Sequence, residues 1–139
     1  EAEVEIEAIY NFKKLTASQK KDVLRLYNEN ADHLSDEVVH NKLWKATKNK
    51  PSTFVDKWVN NSNKDTEVLI HKAMAAGIIR LQGGAYYIGD PSSGKMIGHD
   101  RDQVMEHLSH PKNTQDRIAI MRQLDPKKVI VEKDKKDKE

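Results

Sequence analysis

The chain has 139 residues, 37% hydrophobic and 33% charged, with a formal net charge of +2. This length suits one ordinary domain and is too short for two sizeable cores, while the regular patterning of the apolar residues argues against a disordered chain. The sequence has no cysteine, which excludes disulfides, thiolate metal sites and cysteine nucleophiles. No apolar run approaches the length of a membrane span and no leader opens the sequence, so we expect an intracellular protein, cytoplasmic or nucleoid-associated.

The first residues alternate acidic with apolar side chains. EAEVEIEA places Glu1, Glu3, Glu5 and Glu7 at every second position. Alternation with a period of two puts all four carboxylates on one face of a strand. Residues 1–14 are therefore predicted as an acidic strand or extended arm.

Capping and turn signals divide the rest of the chain. Thr16 with Gln19 and Asp100 with Gln103 have the spacing of a capping box, and Ser35 is a good N-cap. Gly77 is a typical residue for ending a helix, and the paired glycines at 83 and 84 favour a tight hairpin. The predicted helices cover residues 17–29, 36–48, 53–61, 65–76, 101–109 and 114–124, and the predicted hairpin strands cover 78–98.

Together these elements predict a mainly α fold with a small antiparallel β-meander (α+β). We expect one globular domain over residues 15–126. The residues that follow it, 127–139, carry charge at nearly every position and are predicted as a solvated tail.

Three helices followed at once by a hairpin resemble the winged-helix superfamily. The resemblance covers roughly residues 35–89 and includes the lead-in AxxxGII and the short turn NSNK between the last two helices. It implies that residues 65–76 form the helix presented to DNA and that the hairpin forms the wing. This helix departs from the family because its polar groups are few for contacts with phosphates or base edges.

A basic stretch over residues 41–58 carries five lysines against Asp56 alone. At 100° per residue, Lys42, Lys45 and Lys48 lie opposite the apolar face of their helix, and Trp44 lies near Lys48. The ammonium groups could neutralise phosphates while the indole stacks on a base. The alternative is that a neighbouring element covers Trp44 and the lysines are only a solvated face.

In a winged-helix arrangement, side chains near the hairpin would also reach a nucleic-acid backbone, since glycines at its tip allow close approach. The candidate nucleic-acid-binding residues are Lys42, Trp44, Lys45, Lys48, Lys50, Lys57, Lys72, Arg80 and Gln82.

Other patterns are weaker. GDPSSGKM has P-loop spacing, but Met96 stands where magnesium binding requires Ser or Thr. His107 and His110 could share a helix face, although no further ligand has a recognised spacing. We predict no catalytic residue, no metal and no cofactor.

The sequence therefore predicts a small non-enzymatic domain that binds nucleic acid, DNA rather than RNA, through lysines and the hairpin wing. The alternative is a protein-protein interaction or assembly module of a larger complex or virus particle, favoured by the small net charge and the poor recognition helix. That alternative predicts an exposed apolar patch around Trp44 or the hairpin residues Tyr86 and Tyr87. No membrane and no small-molecule substrate are expected as partners.

Overall fold

The structure is a computed structural model that describes residues 2–125. It is mainly α-helical with a three-stranded antiparallel sheet, which confirms the predicted fold class. The predicted tail over 127–139 lies outside the described residues. The chain divides between His71 and Lys72 into two compact units, where length and composition predict one globular domain. Length limits how much core a chain can bury, but it does not fix how the contacts are distributed along the chain.

The first unit is built from helices. They are α1 (Ala2–Lys13), α2 (Ala17–Leu26), α3 (Asp36–Asn49) and α4 (Pro51–Phe54), then a π-helical turn (Val55–Val59) and most of α5 (Lys64–Ala75). The capping box predicted for α2 is present, with the Gln19 amide donating to Thr16 Oγ1 over 3.1 Å and the Thr16 amide to Gln19 Oε1 over 2.9 Å. The N-cap of α3 is also as predicted, because Ser35 Oγ accepts from the Val38 amide.

The prediction of a strand or extended arm over residues 1–14 is wrong for Ala2–Lys13, which form helix α1, while Glu1 lies outside the described residues. Val4, Ala8 and Phe12 recur at every fourth position, so they line one face of a helix, and Ala8 and Phe12 are fully buried. Val4 and Ala8 also satisfy the period of two in EAEVEIEA. Packing of α1 against α3 and α4 decides between the two patterns, because only the helix brings these side chains together.

The core of the first unit lies among α1 to α4 and the π-helical turn. Phe12, Leu24, Leu43 and Phe54 are among its buried members. Arg25 is also buried, and its guanidinium pairs with Asp22 at 2.6 Å and Asp32 at 2.5 Å, so the positive charge of this buried group is compensated by two carboxylates. Through Asp32 the pairing also fixes the segment that leads from α2 to α3.

The second unit combines the sheet with two helices. Its elements are β1 (Ile79–Gln82), β2 (Ala85–Ile88), β3 (Lys95–Gly98), α6 (Arg101–Ser109), a 3-10 turn (Pro111–Asn113) and α7 (Thr114–Leu124). The strands pair in the order β1-β2-β3. Gly83 and Gly84 have φ of +60° and +77° and form the tight turn between β1 and β2, as predicted. Buried side chains from the sheet and the helices form the interior of this unit. They include Ile79 of β1, Ile97 of β3 and Leu108 of α6.

Candidate nucleic-acid interface

Four of the candidate lysines lie on or directly after α3. Val39, Leu43 and Thr47 form the buried face of this helix. Lys42, Lys45 and Lys48 are exposed on the outward side, and successive members are rotated by about 60°. Lys50 is the C-cap residue and is also exposed. These four residues are hereafter called the α3 lysine face.

One member of the α3 lysine face has an acidic partner. Lys42 Nζ lies 3.4 Å from Glu29 Oε1, and both side chains are about half exposed. Exposed ion pairs of this kind contribute little to the stability of a fold and are screened by salt. Lys42 can therefore exchange Glu29 for another anion. Within residues 2–125, the other three lysines form no ion pair.

Trp44 is packed against α1, which partly fulfils the alternative that a neighbouring element covers it. Its ring centroid lies 5.0 Å from that of Phe12 at an interplanar angle of 48°, and the residue is half-buried. Lys48 Nζ lies 5.5 Å from the centroid of the Trp44 ring. The indole is therefore enclosed between a core phenyl ring and a lysine, and its surface is not freely available for stacking on bases.

Lysines approach aromatic rings repeatedly in the first unit. Among the described residues the pairs, with distances from Nζ to ring centroid, are Lys14–Tyr10 (4.0 Å), Lys20–Phe12 (5.3 Å), Lys48–Trp44 (5.5 Å), Lys57–Tyr27 (5.6 Å) and Lys64–Trp58 (4.3 Å). Significant cation–π contacts occur about once per 70–80 residues in proteins, so this density is high. The lysine stems cover aromatic surface while the ammonium groups stay at the protein surface. Lys57, a further candidate, is half-buried in this way.

Sequence reasoning missed two polar residues beside Trp44. Lys20 Nζ of α2 lies 2.9 Å from His40 Nδ1, and the His40 ring lies 5.4 Å from Phe12. A lysine ammonium can only donate, so His40 Nδ1 is the acceptor in this contact. The signal for His40 was its spacing, because positions 40, 44 and 48 lie on one flank of α3. Lys20 gave no such signal, since only the packing of α2 on α3 brings it there.

The remaining three candidates lie in the second unit. Lys72 is half-buried in the last turn of α5, and Arg80 and Gln82 are exposed on β1. Arg80 Nε donates to the carbonyl of Gly77 over 3.0 Å, which holds its side chain back towards the end of α5. No atom lies within 4 Å of an added Cβ at Gly83 or Gly84, so the tip of the hairpin is open.

The P-loop-like segment is a turn between two strands. Asp90 accepts from the amide and the hydroxyl of Ser92 over 3.0 and 2.9 Å, and these hydrogen bonds hold its pKa below the ordinary value. Strand β3 begins at Lys95, where a P-loop would begin its helix. Asp100 then caps α6, as its spacing to Gln103 predicts.

His107 belongs to a hydrogen-bonded cluster that joins β3, α6 and α7. Asp116 Oδ2 accepts from His107 Nε2 over 2.7 Å and from Lys95 Nζ over 2.8 Å. Partial burial acts to raise the pKa of Asp116, but the two hydrogen bonds and positive charges outweigh it and lower the pKa. Within residues 2–125 no group of three or more His, Cys, Asp or Glu side chains is placed to hold a metal ion.

In the described part of the chain, no helix is both long and apolar enough to cross a membrane. Comparisons with protein-family models, with characterised proteins and with solved structures found no match.

Proposed function

We propose that the first unit binds the nucleic-acid backbone through the α3 lysine face. The observation that carries the proposal is the placement of four exposed lysines along one side of a single helix and its cap, with one weak acidic partner among residues 2–125. The winged-helix resemblance favours DNA as the partner.

The spacing of these lysines suits a line of phosphates. Lys42 and Lys48 are six residues apart, which is about 9 Å along the helix axis. Duplex DNA carries one negative charge per about 1.7 Å of its axis, so several phosphates fall within reach of the flexible side chains. Lysine acts as a point charge on such a backbone and reads no base, so the binding should be independent of sequence.

The surroundings of Trp44 and α5 favour backbone contacts over base contacts. Trp44 is enclosed between Phe12 and Lys48, so its ring offers little surface on which an unpaired base could stack. We therefore expect single-stranded and duplex DNA to bind with similar affinity. The end of α5 offers Lys72 as its basic group, too little for reading guanine edges.

The test is fluorescence anisotropy with labelled duplex DNA, single-stranded DNA and RNA at low and near-physiological salt. We expect binding to weaken with a log–log salt slope of up to about −3.6 for four lysines on duplex. The triple variant Lys42→Gln, Lys45→Gln, Lys48→Gln should reduce that slope by about 2.7 and weaken binding at low salt at least about tenfold.

A matched control separates local charge from overall charge. The variant Lys21→Gln, Lys112→Gln, Arg122→Gln also removes three positive charges, all at residues outside α3, and should retain most of the affinity. Equal loss in both variants would show that only net charge matters, and no binding at low salt would refute the proposal.

A second candidate function, protein-protein interaction, is favoured by a different observation. Apolar side chains of α1 are strongly exposed, with Ile6 at 67% and Tyr10 at 59%. The sequence predicts such a patch around Trp44 or the hairpin tyrosines, but Trp44, Tyr86 and Tyr87 are all half-buried. An exposed apolar stripe on a helix is typical of a surface that docks on another protein.

A further inference from the structure

We propose that α1 pairs with α1 of a second copy of the chain, in an antiparallel dimer centred on Ile6 and Tyr10. This inference names the partner for the second candidate function and does not depend on nucleic-acid binding.

The two central residues form one stripe on the outside of α1. Ile6 and Tyr10 are one helical turn apart and lie about 120–160° around the helix from the buried Ala8 and Phe12. They are the most exposed of the large hydrophobic side chains in the described part of the chain, ahead of Leu81 at 54%. Ala2, one turn before Ile6, extends the stripe to the beginning of the helix.

Charges at the ends of the stripe select a second copy of α1 as the occupant. Glu3 lies on the helix beside the stripe at its N-terminal end. Lys14 Nζ lies 4.0 Å from the Tyr10 ring centroid, which places a positive charge at the C-terminal end. A helix face that is apolar in the middle, acidic at one end and basic at the other is complementary to itself when turned end to end.

The register of such a pair follows from the spacing. If Ile6 of one copy faces Tyr10 of the other, the centre lies at position 8. Along the helix axis, Glu3 is then about 7.5 Å before the centre. Lys14 directly follows the last residue of α1 and, at the same rise, lies about 9 Å after the centre, so each Glu3 comes level with Lys14 of the partner. A parallel pair would instead place like charges side by side, and the antiparallel pair also opposes the two helix dipoles.

The expected dimer is weak. A single 12-residue helix offers much less area than the ~1,200 Å² of a standard stable interface. Tyrosine is enriched among residues that carry binding energy at interfaces, so Tyr10 should contribute most. We therefore expect association in the micromolar range or weaker, with a clear dependence on protein concentration.

Sedimentation equilibrium of the full chain, from micromolar to millimolar concentration, tests this proposal. Wild type should show a monomer–dimer equilibrium, and the double variant Ile6→Gln, Tyr10→Gln should dissociate at least about tenfold more readily. Val38→Gln is the matched control, because Val38 is 42% exposed but lies on α3, and this variant should dimerise as wild type does. Circular dichroism checks that each variant keeps its helix content.

A charge exchange tests the antiparallel arrangement. Glu3→Lys and Lys14→Glu should each weaken the dimer at low salt, and the combination of both should restore it, because the partners are then exchanged. A chain that stays monomeric at every concentration, or a dimer indifferent to the Ile6 and Tyr10 changes, would overturn the proposal. A combined variant that fails to regain affinity would overturn the antiparallel register.

Failure of this proposal can be told apart from failure of nucleic-acid binding. The double variant Ile6→Gln, Tyr10→Gln leaves the α3 lysine face intact and should still bind labelled DNA in the anisotropy assay. The triple lysine variant should still dimerise.

Discussion

At the scale of single residues, two polar side chains, Tyr27 and Asp116, should have measurable effects on the stability of the fold. Tyr27 lies beside the core of the first unit, and its hydroxyl oxygen is buried with no hydrogen-bond partner among the described residues. Burial raises the pKa of this phenol. Asp116 is the opposite case, because it is partly buried and its Oδ2 accepts from both Lys95 and His107.

Removing the Tyr27 hydroxyl should stabilise the chain. A buried donor without a partner costs about 1–3 kcal/mol, so Tyr27→Phe should raise the free energy of unfolding by about 1 kcal/mol. Urea unfolding measures this difference. Tyr10→Phe is the control, since the exposed Tyr10 hydroxyl is hydrated in both states and its loss should have little effect. A clear loss of stability in Tyr27→Phe would show that the hydroxyl has a partner.

Asp116 should make stability depend on acid pH. Its pKa is lower in the folded chain than in the unfolded chain, so the carboxylate stabilises the fold above the unfolded value of about 3.9. That stabilisation is lost as the pH falls through the lower, folded value. Asp116→Asn should lower the free energy of unfolding by about 1–2 kcal/mol at pH 7. Below pH ~4 the difference between the variant and wild type should be smaller.

Denaturant unfolding between neutral and acid pH checks this dependence. Glu106→Gln, an exposed acid on α6, should follow the wild-type pH curve closely. If Asp116→Asn and wild type lose stability in parallel, the hydrogen bonds to Lys95 and His107 do not stabilise the fold.

At the scale of elements, the contact between β3 and α6 depends on one glycine. An added Cβ at Gly98 would lie 2.9 Å from Gln103 Cβ and 3.0 Å from the Val104 nitrogen. Real Cβ atoms do not approach so closely, so a side chain here must push the strand and the helix apart. Sequence alone gave Gly98 no such role, because the close neighbour is set by how α6 packs on the sheet.

Gly98→Ala should therefore destabilise the chain by about 1–3 kcal/mol, the usual cost of overpacking. Thermal unfolding measures the loss. Gly83→Asn is the comparison, because Gly83 has a φ of +60° with open space around it, and asparagine is favoured at this position of a two-residue hairpin turn. It should be nearly neutral, and a neutral Gly98→Ala would show that β3 and α6 can separate without cost.

At the scale of the whole molecule, the candidate residues are divided between the two units. The boundary falls inside α5, where the sequence has neither a linker composition nor a change of charge. Six of the nine candidate residues belong to the first unit and three to the second. The α3 lysine face is therefore the part of the candidate site that a single unit presents.

Local chemistry determined what the sequence predicted correctly. Helix starts at Ala17, Asp36 and Arg101 follow from side chains that cap amides three residues away, and the hairpin follows from two glycines with positive φ. These interactions are complete within a few residues, so they can be read without knowing the rest of the fold. The predicted end of α2 was too late, because Asn28 adopts a φ of +66° beyond the helix.

Tertiary contacts decided the rest. EAEVEIEA fits a strand as well as a helix, and burial of Ala8 and Phe12 selects the helix. The helix places Phe12 against Trp44, so the indole that was predicted to stack on bases is packed against the core instead. It also leaves Ile6 and Tyr10 exposed to solvent. Each of these outcomes depends on which residues distant in sequence come into contact. The periodicity of a segment is a local property, so it does not predict those contacts.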